Sequence, residues 1–208
     1  MPFTKQDIIK LWKPELKSLG FKFQDGMFWH EQSGTLRLGV SIQKNIHNEN
    51  FKINPTVILL NPLLKDSSPQ VLLLGNLRKD GIYLHVNNSS WWPGESALAA
   101  AQYLGQYAFS WFQKYAKPDY LAHAAETAIR EHKSLIEILE PLNAYAAALT
   151  SAPAPPQLLY FASVLHYLNG DKGKAIERTN DWLNSLSRSD VDTRRIAMNQ
   201  LSSIRSSS

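Results

Sequence analysis

The feature that most constrains this chain is a change of hydrophobic period near Gly94. Between Leu36 and Ile42, apolar Leu36, Leu38, Val40 and Ile42 alternate with Arg37, Gly39 and Ser41, the period-two pattern of a strand with one buried and one wetted face. After Gly94, Ala97, Ala101, Leu104, Ala108, Trp111, Phe112 and Tyr115 recur at three- and four-residue spacing, which paints one stripe of a long helix. A chain that alternates first and then repeats helically must build a sheet and helices in succession. The fold class expected is therefore α+β: an N-terminal antiparallel sheet of about four strands with flanking helices, followed by an all-helical C-terminal half.

The elements follow in order. Ile8, Ile9, Trp12, Leu16 and Leu19 stripe an opening helix that Thr4 can cap and Gly20 can end, and Pro14 predicts a kink or a break near Lys13. Phe21 and Phe23, the turn signal Asp25-Gly26, then Met27, Phe28 and Trp29 open a meander. The strand Leu36–Ile42 follows it. Phe51, Ile53 and residues 57–60 make the next strand, and Ile82, Leu84 and Val86 a shorter fourth. Beyond Glu95 everything reads as helix. Lys117-Pro118-Asp119 starts a new one, residues 150–156 with three prolines read as a linker, and Asn169-Gly170-Asp171 joins two further helices. The expected division is an α+β domain over 1–116 and a helical extension over 117–208. The serine-rich tail from Ser202 to Ser208 is expected to fray.

Composition narrows the function classes. With 208 residues, 44% hydrophobic and 19% charged, the chain can bury a core. It contains no cysteine, which excludes a disulfide framework, a thiol nucleophile and thiolate-bound metal. Its first residues are too charged for a signal peptide, and no apolar stretch reaches the roughly 18–20 residues that span a bilayer, so a cytoplasmic protein with no membrane partner is expected. The formal charge of +4 invites a nucleic-acid reading, but the basic residues are dispersed, with Arg78-Lys79 and Arg194-Arg195 the closest pairs. Neither glycine-rich phosphate-loop pattern occurs, nor does the serine elbow, and no cofactor is expected.

Several short stretches together resemble one family. Leu19-Gly20-Phe21-Lys22 leading to Phe28-Trp29, then Ser41-Ile42-Gln43-Lys44, then Phe51-Lys52-Ile53-Asn54, and the helix Tyr107-Ala108-Phe109-Ser110-Trp111-Phe112-Gln113-Lys114-Tyr115 resemble the bacterial domain of unknown function 4304 family over residues 5–130. The resemblance implies an α+β domain with an antiparallel sheet, in a family whose relatives sometimes look like immunity or accessory proteins in toxin loci. It implies no catalytic residues. The spacing around Gly170, Asp171 and Ala175 is similar to a single tetratricopeptide hairpin, with Ser163 where the small glycine belongs and Ser187 where the closing proline belongs.

The candidate binding feature is the run from Asn87 to Gly94 containing Trp91 and Trp92, because two tryptophans in a polar turn either plug the core or remain partly exposed. Exposed, they join Arg37, Gln43 and Lys44 of the polar strand face as a surface for a protein partner, one of acidic character given the positive balance. The competing enzyme reading uses His30, Glu31 and His85 as acid–base groups in a cleft between sheet and helices. Adjacent His30 and Glu31 point to opposite strand faces, so convergence would have to come from the fold. His123 and Glu126 share a helix face at three-residue spacing but are too few to ligate zinc, and no metal is expected. Partner identity and oligomeric state carry no sequence signal.

Overall fold

The computed structural model describes residues 4–30, 35–64, 70–84, 91–140 and 155–207. The chain divides into two compact units, the first comprising residues 1–60 and 69–116, the second 61–68 and 117–208.

In the first unit, six strands form one antiparallel sheet in the order of the sequence: β1 (Phe21–Gln24), β2 (Met27–His30), β3 (Leu36–Lys44), β4 (Phe51–Leu59), β5 (Gln70–Arg78) and β6 (Gly81–Leu84). Six strands replace the four expected. The hairpin around Asp25-Gly26 contributes two of its own, because both turn residues take positive φ, the type I′ geometry that reverses a chain in two residues. β5 is the strand the hydrophobic pattern hides. Val57 pairs with Leu73 while Ile58 pairs with Val71, so a bulge inserts Leu72 and resets the alternation. Leu72 and Leu73 are consequently both buried.

Two helices, α1 (Lys5–Ser18) and α2 (Ala97–Tyr115), cover one face of this sheet. Thr4 caps α1 through a reciprocal capping box with Asp7, whose carboxyl is held below its usual range by hydrogen bonds from the Thr4 hydroxyl and backbone amide. The expected break at Pro14 does not occur: α1 runs through it uninterrupted. Pro14 is exposed, so the carbonyl deprived of its usual partner can bond water. Trp12 is fully buried, donates its indole N–H to the Ala97 carbonyl at 2.7 Å, and packs against Phe28 and Phe51. Gly75 brings β5 against α2, since a β-carbon there would lie 2.9 Å from the Trp111 ring.

The second unit contains α3 (Pro118–Glu131), α4 (Leu135–Leu139), α5 (Pro155–Leu168), α6 (Lys172–Ser185) and α7 (Val191–Ser206). Pro118 sits in the first turn of α3, where its missing amide hydrogen is not needed. Gly170, at φ +77°, turns α5 into α6, and Asp171 caps α6 through the Lys174 amide. Ser163, at the position of the tetratricopeptide glycine, is buried and bonds Thr179 and the Ala175 carbonyl. Residues 202–206 continue α7 instead of fraying. The proposed linker at 150–156 lies mostly outside the described residues, and α5 has already begun at Pro155.

A buried polar network ties residues 61–64 into this unit. Asn61 donates its amide N–H to Gln200 Oε1 at 2.7 Å and to the Tyr160 hydroxyl at 3.3 Å, and accepts from the Leu63 amide. Gln200, fully buried, donates onward to Ser163 at 2.9 Å. Burial pushes the Tyr160 hydroxyl up, against the opposing hydrogen bond from Asn61.

Candidate binding surfaces

Strand alternation assigns the side chains of the sheet to two faces. Leu38, Val40 and Ile42 of β3 lie on the helix-covered face opposite Val57, Pro55 and Ile53. The opposite face carries Arg37, Gly39, Ser41 and Gln43 of β3, then Ile58, Thr56, Asn54 and Lys52 of β4, paired across the strands in that order. The Thr56–Leu74 pair sets Leu74, and by alternation Asn76 and Arg78 of β5, on this face, and Asn76 pairs with Tyr83 of β6. Ser41 with Asn54, and Asn76 with Tyr83, are two cross-strand pairs of neutral polar side chains on this face. Beyond the first pair Gln43 faces Lys52, and beyond the second Arg78 follows Asn76 on β5. No Asp or Glu occupies any of these positions.

The two tryptophans take opposite fates. Trp92 is 3% exposed, bridges Phe51 through both backbone hydrogen bonds, and gives its indole N–H to the Leu77 carbonyl at 3.0 Å. Its ring packs on Tyr103 of α2. Trp91 is 38% exposed, and the Lys52 ammonium lies 4.2 Å from its ring centre. That distance is a cation–π contact, and it holds the indole beside the Gln43–Lys52 pair. At the next strand, the Arg78 guanidinium lies 5.2 Å from the Tyr83 ring, whose hydroxyl bonds Asp80.

Of the residues expected to act together, Trp91 and Gln43 do share one patch. Arg37 is exposed on the same face but six residues along β3 from Gln43, about 20 Å by strand rise. Lys44 turns away to serve the β3–β4 connection, donating its ammonium to the carbonyls of Asn45 and Asn48. Trp92 belongs to the core. Lys52, Arg78 and Tyr83 were not foreseen as members, because their place depends on the register of β4, β5 and β6.

Beneath this patch, polar groups lack partners. Asn76 is 1% exposed, and neither atom of its side-chain amide has a hydrogen-bond partner among the described residues. The Thr56 hydroxyl is likewise buried and unpaired. Gly39 keeps the space beside it open, since a β-carbon there would come 2.9 Å from that hydroxyl.

The residues of the acid–base reading do not assemble a described site. His30 packs edge-on against Phe21 and Phe109, at ring separations of 5.2 and 4.9 Å. Glu31 and His85 lie outside the described residues. His47 sits in the exposed β3–β4 connection. No group of three or more potential metal ligands occurs among the described residues.

A different His–carboxylate pair exists in the second unit. Glu126 of α3 accepts from His166 Nε2 of α5 at 2.8 Å and, on both carboxylate oxygens, from Arg178 of α6 at 2.8 Å. Arg178 also donates to Asp181 at 2.5 Å. Burial alone would raise the Glu126 carboxyl, but the hydrogen bonds and charges of Arg178 and His166 outweigh it and hold it below the usual carboxylate range. The same bonds raise Arg178 above its ordinary value. Glu126, His166 and Arg178 line a cleft of about 820 Å³ with His123, Arg130 and Lys174. Only the His123–Glu126 spacing hinted at it. His166 and Arg178 stand 40 and 52 positions from Glu126, beyond any local signal.

No protein-family model, curated protein or solved structure matches this chain. No helix among the described residues is long and apolar enough to cross a membrane.

Proposed function

We propose that this chain is a non-enzymatic, cytoplasmic protein-binding module and, following the resemblance of residues 5–130, an immunity or accessory protein of a bacterial toxin locus. The observation that carries the reading is the exposed Trp91 ring held by Lys52 on a sheet face whose described strand positions also bear Arg37 and Arg78. A tryptophan fixed in place covers a large area at small entropic cost, which is the makeup of an interface anchor. The surrounding cations favour an acidic partner and would make association faster and salt-sensitive.

An acid–base enzyme is the competing reading, and the Glu126–His166 pair is the observation that favours it. Arg178 engages both oxygens of that carboxylate, however, which suits a clamp between α3, α5 and α6 better than a proton acceptor. The experiment that separates the two is titration of the chain with the purified product of the adjacent reading frame. The binding reading expects a saturable complex that Trp91→Ala weakens and Glu126→Gln does not. Absence of a complex, or one indifferent to Trp91, overturns it.

A further inference from the structure

We propose a second docking site, independent of Trp91: the groove between α1 and β1 receives an acidic segment of a partner protein, in extended conformation, with an apolar side chain seated on its phenylalanine floor. The groove encloses about 500 Å³ and is lined by Lys13, Lys17, Gly20, Phe21, Lys22, Phe23 and Phe28. Among the described residues of that lining, the charged ones are lysines and the large apolar ones phenylalanines. Phe21 and Phe28 are buried and form the floor, while Phe23 is half-buried and faces the opening. The Lys13 ammonium leans over the Phe23 ring at 5.1 Å from its centre, so the cation already hangs across the apolar surface.

Two features select a polypeptide over a small amphiphile. β1 is the terminal strand of the sheet, paired with β2 on one side, and its other backbone edge has no strand partner among the described residues. Such an edge can take up an extended segment through main-chain hydrogen bonds. The lysine spacing also fits. Lys13 and Lys17 are four residues apart on α1, a rise of about 6 Å. Alternate side chains of an extended chain share one face and are about 6.6 Å apart, so two carboxylates at alternate positions can meet one lysine each, with the apolar side chain at the next position of that face. Helix and strand periods coincide there.

The test uses a dye-labelled peptide with glutamate, glutamate and phenylalanine at successive alternate positions and serine between them, titrated by fluorescence anisotropy with the full chain. Saturable binding is expected, weakened at least about tenfold by Lys13→Glu with Lys17→Glu and steeply reduced by salt. A lysine–phenylalanine peptide should not bind, and Trp91→Ala should leave the affinity unchanged, which separates this site from the sheet-face reading. Should the double charge reversal alter the melting temperature, Lys13→Gln with Lys17→Gln serves in its place, with about a threefold loss expected at low salt. Binding unaffected by the lysine substitutions overturns the proposal. So does binding of an anilinonaphthalene sulfonate or of laurate at this groove without binding of the acidic peptide.

Discussion

Trp91 and Trp92 are neighbours in sequence yet serve opposite faces of the sheet: the first stacks under the Lys52 ammonium, the second hydrogen-bonds the Leu77 carbonyl against α2. Their substitution costs should therefore diverge. Trp92→Ala removes a buried ring and strands the Leu77 carbonyl, and is expected to cost about 3–5 kcal/mol. Trp91→Ala should cost less than about 1 kcal/mol, the size of an exposed cation–π contact. Urea denaturation followed by circular dichroism measures both, and equal costs would refute the division.

Glu126 links stability to pH. Its carboxyl is depressed in the folded chain, so its contribution is fully present above the unfolded value near 4.5 and is lost as pH falls through the lower folded value. Glu126→Gln should destabilise the second unit by about 1–3 kcal/mol at neutral pH, since it leaves Arg178 and His166 short of a charged partner. Below the folded value the two proteins should converge. Melting curves across the acid range check this, and a difference constant with pH would contradict it.

The Asn61–Gln200 hydrogen bond spans 139 positions and joins residues 61–64 to α7 within the second unit. Gln200→Leu and Asn61→Leu should each destabilise by about 1–3 kcal/mol, because each takes one hydrogen-bond partner from a buried amide. Combined, they should cost less than their sum by about 0.5–3 kcal/mol, the signature of a shared network. Strict additivity would show that the bond contributes nothing.

Asn76 reverses the usual expectation for a buried amide. With no partner for either side-chain atom among the described residues, Asn76→Leu keeps the volume and removes an uncompensated desolvation cost. Stability should hold or rise by about 1 kcal/mol. A loss above about 2 kcal/mol would mean that the amide is satisfied by bound water.

How much of this was legible depended on distance along the chain. The type I′ hairpin at Asp25-Gly26 and the turn at Gly170 announce themselves because local backbone geometry demands those residues. The clean alternation of β3 gives its faces directly, so Arg37 and Gln43 were placeable. β5 escaped because the Leu72 bulge breaks the phase that marks a strand. Pro14 misled because its consequence depends on whether the freed carbonyl faces water, which only the packed helix decides. Lys52 under Trp91, and His166 with Arg178 on Glu126, are products of tertiary register. Nothing in their sequence neighbourhoods distinguishes them from solvated charges.

Contact through Trp91 is what the proposed binding depends on. Calorimetric titration of the chain, wild type and Trp91→Ala, with the product of the adjacent reading frame tests that most directly. An affinity reduced at least about tenfold at unchanged melting temperature is predicted. Equal affinities for the two proteins would contradict it.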